Sequence, residues 1–311
     1  MAIPRCLSIA SSDSGGGAGI QADLKAFAAG GCHGMTAVVA LTAQNTLAVT
    51  EVHEVPPAFV VAQLRAVWDD IGVDAAKTGM LRSRPIIEAV ADFLADHRVP
   101  LVVDPVMVAT TGTVLLRGNA LAALRRRLLP LATVVTPNLS EAQVLAGSTS
   151  GRRQLAERIH ALGPQAVVIT GGHGADHSDH FYDGHQHVSI RVEQQEPGAS
   201  HGSGCTHSAA MTALLAHGES LLDAARGAAA MTAAAIGRGL TEIGAGDGPL
   251  DILGIRYQVH PSADAAGQPV RSSVSPGLGA AGYGGSPIRA AGDSGSSTRA
   301  RGDSGSSGPR R

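Results

Sequence analysis

The chain has 311 residues, a formal net charge of −2 and 16% charged side chains, a balance that argues against nucleic acid or an anionic membrane as its main partner. No apolar run reaches the roughly 18 residues needed to cross a bilayer, and Met1–Ala10 reads as a first strand rather than a secretion signal. Three widely spaced cysteines, Cys6, Cys32 and Cys205, are too few for a disulfide scaffold and point to a cytoplasmic protein.

Short apolar or β-branched runs alternate with helical stretches along most of the chain. Cys6–Ala10 is the first predicted strand, and Gly19–Ala29 a helix stopped by Gly30-Gly31. Met35–Leu41 follows as a strand. Pro57–Ile71 is a helix opened by proline, whose missing N–H costs nothing there. Asp74–Thr78 is a strand, Pro85–Asp96 a helix, and Leu101–Val103 a strand ending at Asp104-Pro105. Leu121–Leu129 is helical, Thr133–Val135 a strand, Arg152–Leu162 a helix, and Ala166–Ile169 a strand that opens into Gly171-Gly172. Phe181–Tyr182 and Val188–Val192 suggest a hairpin, and two Ala-rich helices follow, Cys205–Ala216 and Leu222–Ile236.

Composition changes near Ile255. Residues 1–255 are expected to fold as one α/β domain, and residues 256–311, rich in Gly, Ser and Arg, as a low-complexity disordered tail. Its Arg301-Gly302-Asp303 and repeated Gly-Asp-Ser-Gly resemble adhesion and protease fragments by coincidence. Repeated strand–helix–strand units predict a mostly parallel central sheet with helices on both faces. Ligands bind beyond the carboxyl ends of such strands. Asp13, Gln44, Gly79-Met80, Asp104, Asn138 and Gly171 should therefore share one rim.

Ser200-His201-Gly202-Ser203-Gly204-Cys205-Thr206 runs into a helix. Glycines let consecutive N–H groups converge, and a helix N-terminus adds unpaired donors, so Gly202, Ser203 and Gly204 are the candidate anion hole. A thiol there should be acidified, which makes Cys205 a candidate base or nucleophile; a buried small Cys beside a glycine turn is the plainer alternative. Gly17-x-Gly19-x-x-Ala22 fits a dinucleotide fingerprint only nominally, because no acidic residue ends the second strand. Asp23 and Gln44 could pair with a flat heterocycle, or be a first-turn acid and a loop amide. Asp104, Asn138 and Glu141 are candidate Mg²⁺ or metal-water ligands, although Asn138-x-x-Glu141 is equally a capping box. No Walker-type lysine motif is present. The histidines His173, His177, His180, His185 and His187 read as an incidental polar loop rather than a metal site.

Taken in order, Ser12–Lys25 (SDSGGGAGIQADLK), Leu41–Asn45, Lys77–Met80, Val103–Met107, Thr136–Ala142 and His201–Thr206 resemble the hydroxymethylpyrimidine kinase / phosphomethylpyrimidine kinase family of the ribokinase-like superfamily. The resemblance implies a ribokinase-like fold and two ATP-dependent phosphorylations in thiamine biosynthesis, of an aminopyrimidine alcohol and then of its monophosphate. It implies Gln44, Asp23, Gly17 and Met80 at the pyrimidine, and Asp104, Asn138 and Glu141 organising Mg²⁺-ATP. Cys205 would stand where related sugar kinases carry an aspartate base, in a homodimer. Ser11, Thr170 and Ser203 stand where the family usually has Gly, Lys and Thr. The competing expectations are a pyridoxal kinase and a catalytically weakened pyrimidine-binding homologue.

Overall fold

The computed structural model describes residues 2–108, 112–116, 118–171, 178–191 and 199–255. The tail, with its repeats and tripeptide, lies outside these residues, as do Gly172, His173, His177 and Val192. In chain order the elements are β1 (Arg5–Asp13), α1 (Gly19–Ala29), β2 (His33–Gln44), β3 (Val49–Glu54), α2 (Pro57–Asp70), β4 (Ala75–Thr78), α3 (Arg84–Asp96), β5 (Leu101–Val103) and α4 (Ala120–Ala123). They continue with β6 (Val134–Val135), α5 (Leu139–Ala146), α6 (Arg152–His160), β7 (Ala166–Ile169), β8 (Ser178–Tyr182), β9 (His187–Arg191), α7 (Ser203–Ala216) and α8 (Leu221–Gly237).

Among the described residues the strands form one sheet ordered β3-β2-β1-β4-β5-β6-β7-β8-β9. The six from β2 to β7 are mutually parallel, while β3, β8 and β9 extend it antiparallel at its two edges. Alternation along each strand divides the core into two faces. Leu7, Ile9, Val103, Val135, Val167 and Ile169 pack with buried side chains of α2 and α3, whereas Val102, Val134, Ala166 and Val168 pack with those of α7 and α8. α7 is buried on nearly all sides, and its alanines 209, 210 and 213 allow close contact with α1 and α8.

Three local features differ from expectation. β3 was not anticipated: Val49–Glu54 carries polar residues at four of its six positions and becomes a strand only because β2 offers an antiparallel partner. The helix expected over Leu121–Leu129 holds α geometry for only four residues. It then widens to a π turn over Leu124–Leu128 and tightens to a 3₁₀ turn at Leu129–Leu131, where Pro130 has no N–H to continue the ladder. α7 begins at Ser203, two residues early, with Gly202 as its left-handed N-cap at φ 86°.

Candidate active site

Because β1, β2, β4, β5, β6 and β7 run parallel, their carboxyl ends share one edge of the sheet. Asp13 and Gln44 close β1 and β2, Gly79-Met80 follow β4, Asp104 follows β5, and Asn138 lies past β6 beside Thr170, to which it is bridged. The residues expected on one rim stand on one rim.

One end of this rim is built by the glycine loop after β1. The Asp13 carboxylate accepts the N–H groups of Gly15 (2.8 Å), Gly17 (3.1 Å) and Ala18 (2.8 Å), so one side chain shapes the turn. Lys25 Nζ donates to Gly16 O, and Gln21 bonds to Asp13 N and Ser12 Oγ, tying the loop to α1. Ser14 Oγ bonds the main chain of Gln44, and Thr42 Oγ1 donates to Gln44 Oε1 at 3.1 Å. Gln44 is half-buried at this edge, and Met80 is buried beneath it.

Asp23, placed at the pyrimidine by the resemblance, sits in α1 below the rim. It has no exposed surface; Oδ1 accepts Lys77 Nζ at 2.7 Å and Oδ2 accepts Ser8 Oγ at 2.6 Å. Its oxygens therefore face a buried lysine rather than an open pocket. Lys77, also fully buried, lies 3.7 Å from Asp104 Oδ2, which is 3.0 Å from Ser208 Oγ on α7. One ammonium thus faces two buried carboxylates. Lys77 is held protonated despite its burial, while burial leaves both Asp23 and Asp104 above the ordinary carboxylate range.

Helix geometry leaves the first-turn N–H groups of α7 without partners four residues back. Ser203 N–H turns away to Ser200 O at 3.1 Å, which leaves the Gly202 and Gly204 N–H groups of the expected anion hole, with the Cys205 N–H of the same first turn beside them. Nothing would stand within 4 Å of a Cβ on Gly204, so the turn is open there. Cys205 is half-buried. The expected acidification does not occur. Burial pushes the thiol up to about 12, with Asp104 and Asp23 adding to the rise and Lys77 opposing it.

On the donor side, Asn138 and Glu141 form the capping box of α5: Asn138 Oδ1 accepts Glu141 N at 2.9 Å and Glu141 Oε2 accepts Asn138 N at 3.0 Å. Glu141 Oε1 also accepts Met107 N at 3.3 Å. Burial and the neighbouring Asp104 push Glu141 up to about 8. Past β7, Gly171 N donates to Asp179 Oδ1 (2.8 Å), and Asp179 Oδ2 lies 3.1 Å from His207 Nε2 on α7. His180 and His187 contact each other on the β8–β9 hairpin, where His187 also meets Glu157 of α6.

Sequence reasoning gave Lys77, His201 and His207 no role. A lysine in the all-buried strand Ala75–Thr78 was a usable signal, since a charge in a central strand needs a partner. His201 and His207 carried none, because their partners lie on distant strands.

A parallel sheet whose carboxyl edge carries a glycine-rich anion turn and a charged floor defines a ribokinase-like small-molecule kinase. Residues 13–251 match the phosphomethylpyrimidine kinase family model, and the chain belongs to that family. It is 48% identical over 260 residues to the hydroxymethylpyrimidine/phosphomethylpyrimidine kinase of Synechococcus elongatus, covering 80% of this chain and 97% of that one. The Rhizobium meliloti enzyme of the same name is 48% identical over 252 residues, covering 78% and 95%. Among solved structures, an ADP complex of Bacillus subtilis pyridoxal kinase superposes with TM-score 0.75 at 39% identity, covering 82% of this chain and 100% of that one. A Clostridium difficile phosphomethylpyrimidine kinase gives TM-score 0.66 at 37% identity, covering 73% and 96%.

Proposed function

We propose that this kinase transfers phosphate from ATP to 4-amino-5-hydroxymethyl-2-methylpyrimidine and then to the resulting monophosphate, in thiamine biosynthesis. The observation that carries the reading is the joining of the Gly15–Gly19 loop, the Gln44 amide and the α7 anion turn at one edge, within a chain nearly half identical to kinases named for this pair of substrates. Gln44 offers an amide to the aminopyrimidine, with Gly17 and Met80 beside it, and Asp23 acts from below by fixing Lys77.

The acceptor oxygen attacks the γ-phosphorus, the bond to the β-bridging oxygen breaks and ADP leaves. Gly202, Gly204 and Cys205 N–H groups face the charge that spreads over the transferred group, and the Ser203 hydroxyl flanks them. Mg²⁺ bound to ATP supplies charge neutralisation between the phosphates. Asp104 and Glu141 suit it as hard oxygen donors crowded by each other's charge. Glu141 and Asn138 already cap α5, so they would reach the ion through its waters. Only the thiolate of Cys205 can accept the hydroxymethyl proton, so the thiol must first give up its own proton to solvent, a loss that the nearby Lys77 ammonium favours and burial opposes; in the second step the acceptor is already a phosphate oxygen and needs no base.

A coupled ATP assay on the alcohol, its monophosphate and pyridoxal tests this. ATP consumption dependent on both pyrimidines is expected, and turnover of pyridoxal alone would replace the reading with the pyridoxal kinase that the Bacillus likeness also permits. Cys205→Ala should slow the first phosphorylation by about 10²-fold and the second far less; equal losses would remove the base role. We further propose a cytoplasmic homodimer, measurable as solution mass; no described helix is long and apolar enough to cross a membrane.

A further inference from the structure

His201 and Asp13 join two loops that the mechanism uses but that lie on separate parts of the chain. His201 Nε2 stands 3.3 Å from Asp13 Oδ2, the same oxygen that accepts Gly17 N and Ala18 N. Both side chains are buried, at 2% exposure for Asp13 and 5% for His201. Burial pushes the Asp13 carboxyl up, but His201 and the Ala18 and Gly15 N–H groups outweigh it and hold the group below its usual range.

Around this pair the two backbones touch. A Cβ on Gly202 would fall 1.9 Å from Gly17 O, and one on Gly17 would fall 2.3 Å from His201 Cδ2. Gly202 also holds φ 86°, a conformation that side chains rarely adopt. His201 N donates to Gly248 O at 3.2 Å, and the adjoining Asp247 accepts both Ser200 N (2.9 Å) and Ser200 Oγ (2.8 Å). The anion turn is thus fixed from one side by residues 247–249 and from the other by Asp13.

We propose that Asp13 and His201 are paired positioning residues that set the α7 anion turn and Cys205 in register with the acceptor loop. The inference rests on the reading of Gly202–Cys205 as the phosphoryl-transfer end. Neither side chain touches the transferred group. Asp13 fixes the acceptor loop through three N–H groups, and His201 carries that position across to Gly202. A shift of about 1 Å between reacting groups costs on the order of 10²-fold in rate.

The experiment compares His201→Ala, His201→Gln, Asp13→Asn and the double variant His201→Ala/Asp13→Asn in steady-state assays on the pyrimidine alcohol, with thermal unfolding of each. His201→Ala should lower kcat by about 10- to 100-fold with little change in KM for ATP. His201→Gln, whose amide nitrogen can stand near Nε2, should restore most of it. The double variant should be hardly worse than the worse single one, because the pair acts as a unit. If His201→Ala does not fold, His201→Asn, too short to reach Asp13, carries the same test. A folded His201→Ala or His201→Asn variant with unchanged kcat, or equal losses in His201→Gln and His201→Ala, would overturn the proposal. If those variants keep full kcat while Cys205→Ala loses activity, only this inference fails. If Cys205→Ala and Gly204→Val are both fully active, the underlying reading of the turn fails instead.

Discussion

Two Asp–His pairs bracket the start of α7, and they differ in what each aspartate also holds. Asp13, on the acceptor side, joins His201 and three loop N–H groups, so the pyrimidine loop and the anion turn are fixed together. Asp179, on the donor side, joins His207 and the single N–H of Gly171, and His207 Nδ1 has no hydrogen-bond partner. Among the described residues the Asp13 pair therefore braces its loop at more points than the Asp179 pair does, while the turn after β6 is tied separately by the Asn138–Glu141 box and the Met107 N–H. On the proposed reading the small substrate, whose oxygen must be aimed, would sit beside the more heavily braced pair, and the nucleotide, gripped along its length, beside the other. Between them lies the floor shared by both ends, Lys77 with Asp23 and Asp104.

That shared floor gives the largest expected effect. Lys77→Met leaves two buried carboxylates without their cation and should cost about 3–5 kcal/mol of unfolding free energy in urea titration. A cost near zero would mean that the two ends are set independently of their floor. Next in size is Asp179→Asn, which weakens the single brace on Gly171. A loss of about 1 kcal/mol should raise KM for ATP roughly fivefold and leave KM for the alcohol unchanged. An equal rise in both constants would erase the distinction between the ends.

A further effect concerns Glu141 and pH. Its folded pKa of about 8 lies above the ordinary glutamate range, so folding takes up a proton. The associated stability is present at low pH and is lost as pH rises from the ordinary range toward 8. Glu141→Gln keeps a capping-box side chain but cannot ionise. Its melting temperature should gain on the parent's between pH 5.5 and pH 8, and parallel curves would place the proton elsewhere.

Most of the sheet was legible because its strands are short apolar runs cut by glycine, proline and asparagine. That Asp13, Gln44, Gly79, Asp104 and Asn138 share one rim followed from those cuts alone. β3 was missed because its sequence has no strong period of its own and only pairing with β2 makes it a strand. The partner of Asp23 was missed for a related reason. The position of Asp23 in α1 was right, but its partner Lys77 is 54 residues away, and nothing local distinguishes an aspartate facing a ligand from one facing a lysine. Acidification of Cys205 by the helix terminus was a sound local argument, outweighed by burial among carboxylates brought in by β4, β5 and α1.

The contact between Asp13 and His201 spans 188 residues of chain, and that between Thr46 and Gly246 spans 200. Contacts of such long range close costly loops and form slowly, after more local structure has condensed. The acceptor pocket is thus a late product of folding, absent until the region after α8 has returned to the first strands. A chain still emerging during synthesis has its α1 and β1 long before it has an anion turn to set against them. Recovery of activity on refolding should accordingly lag behind the recovery of helical signal.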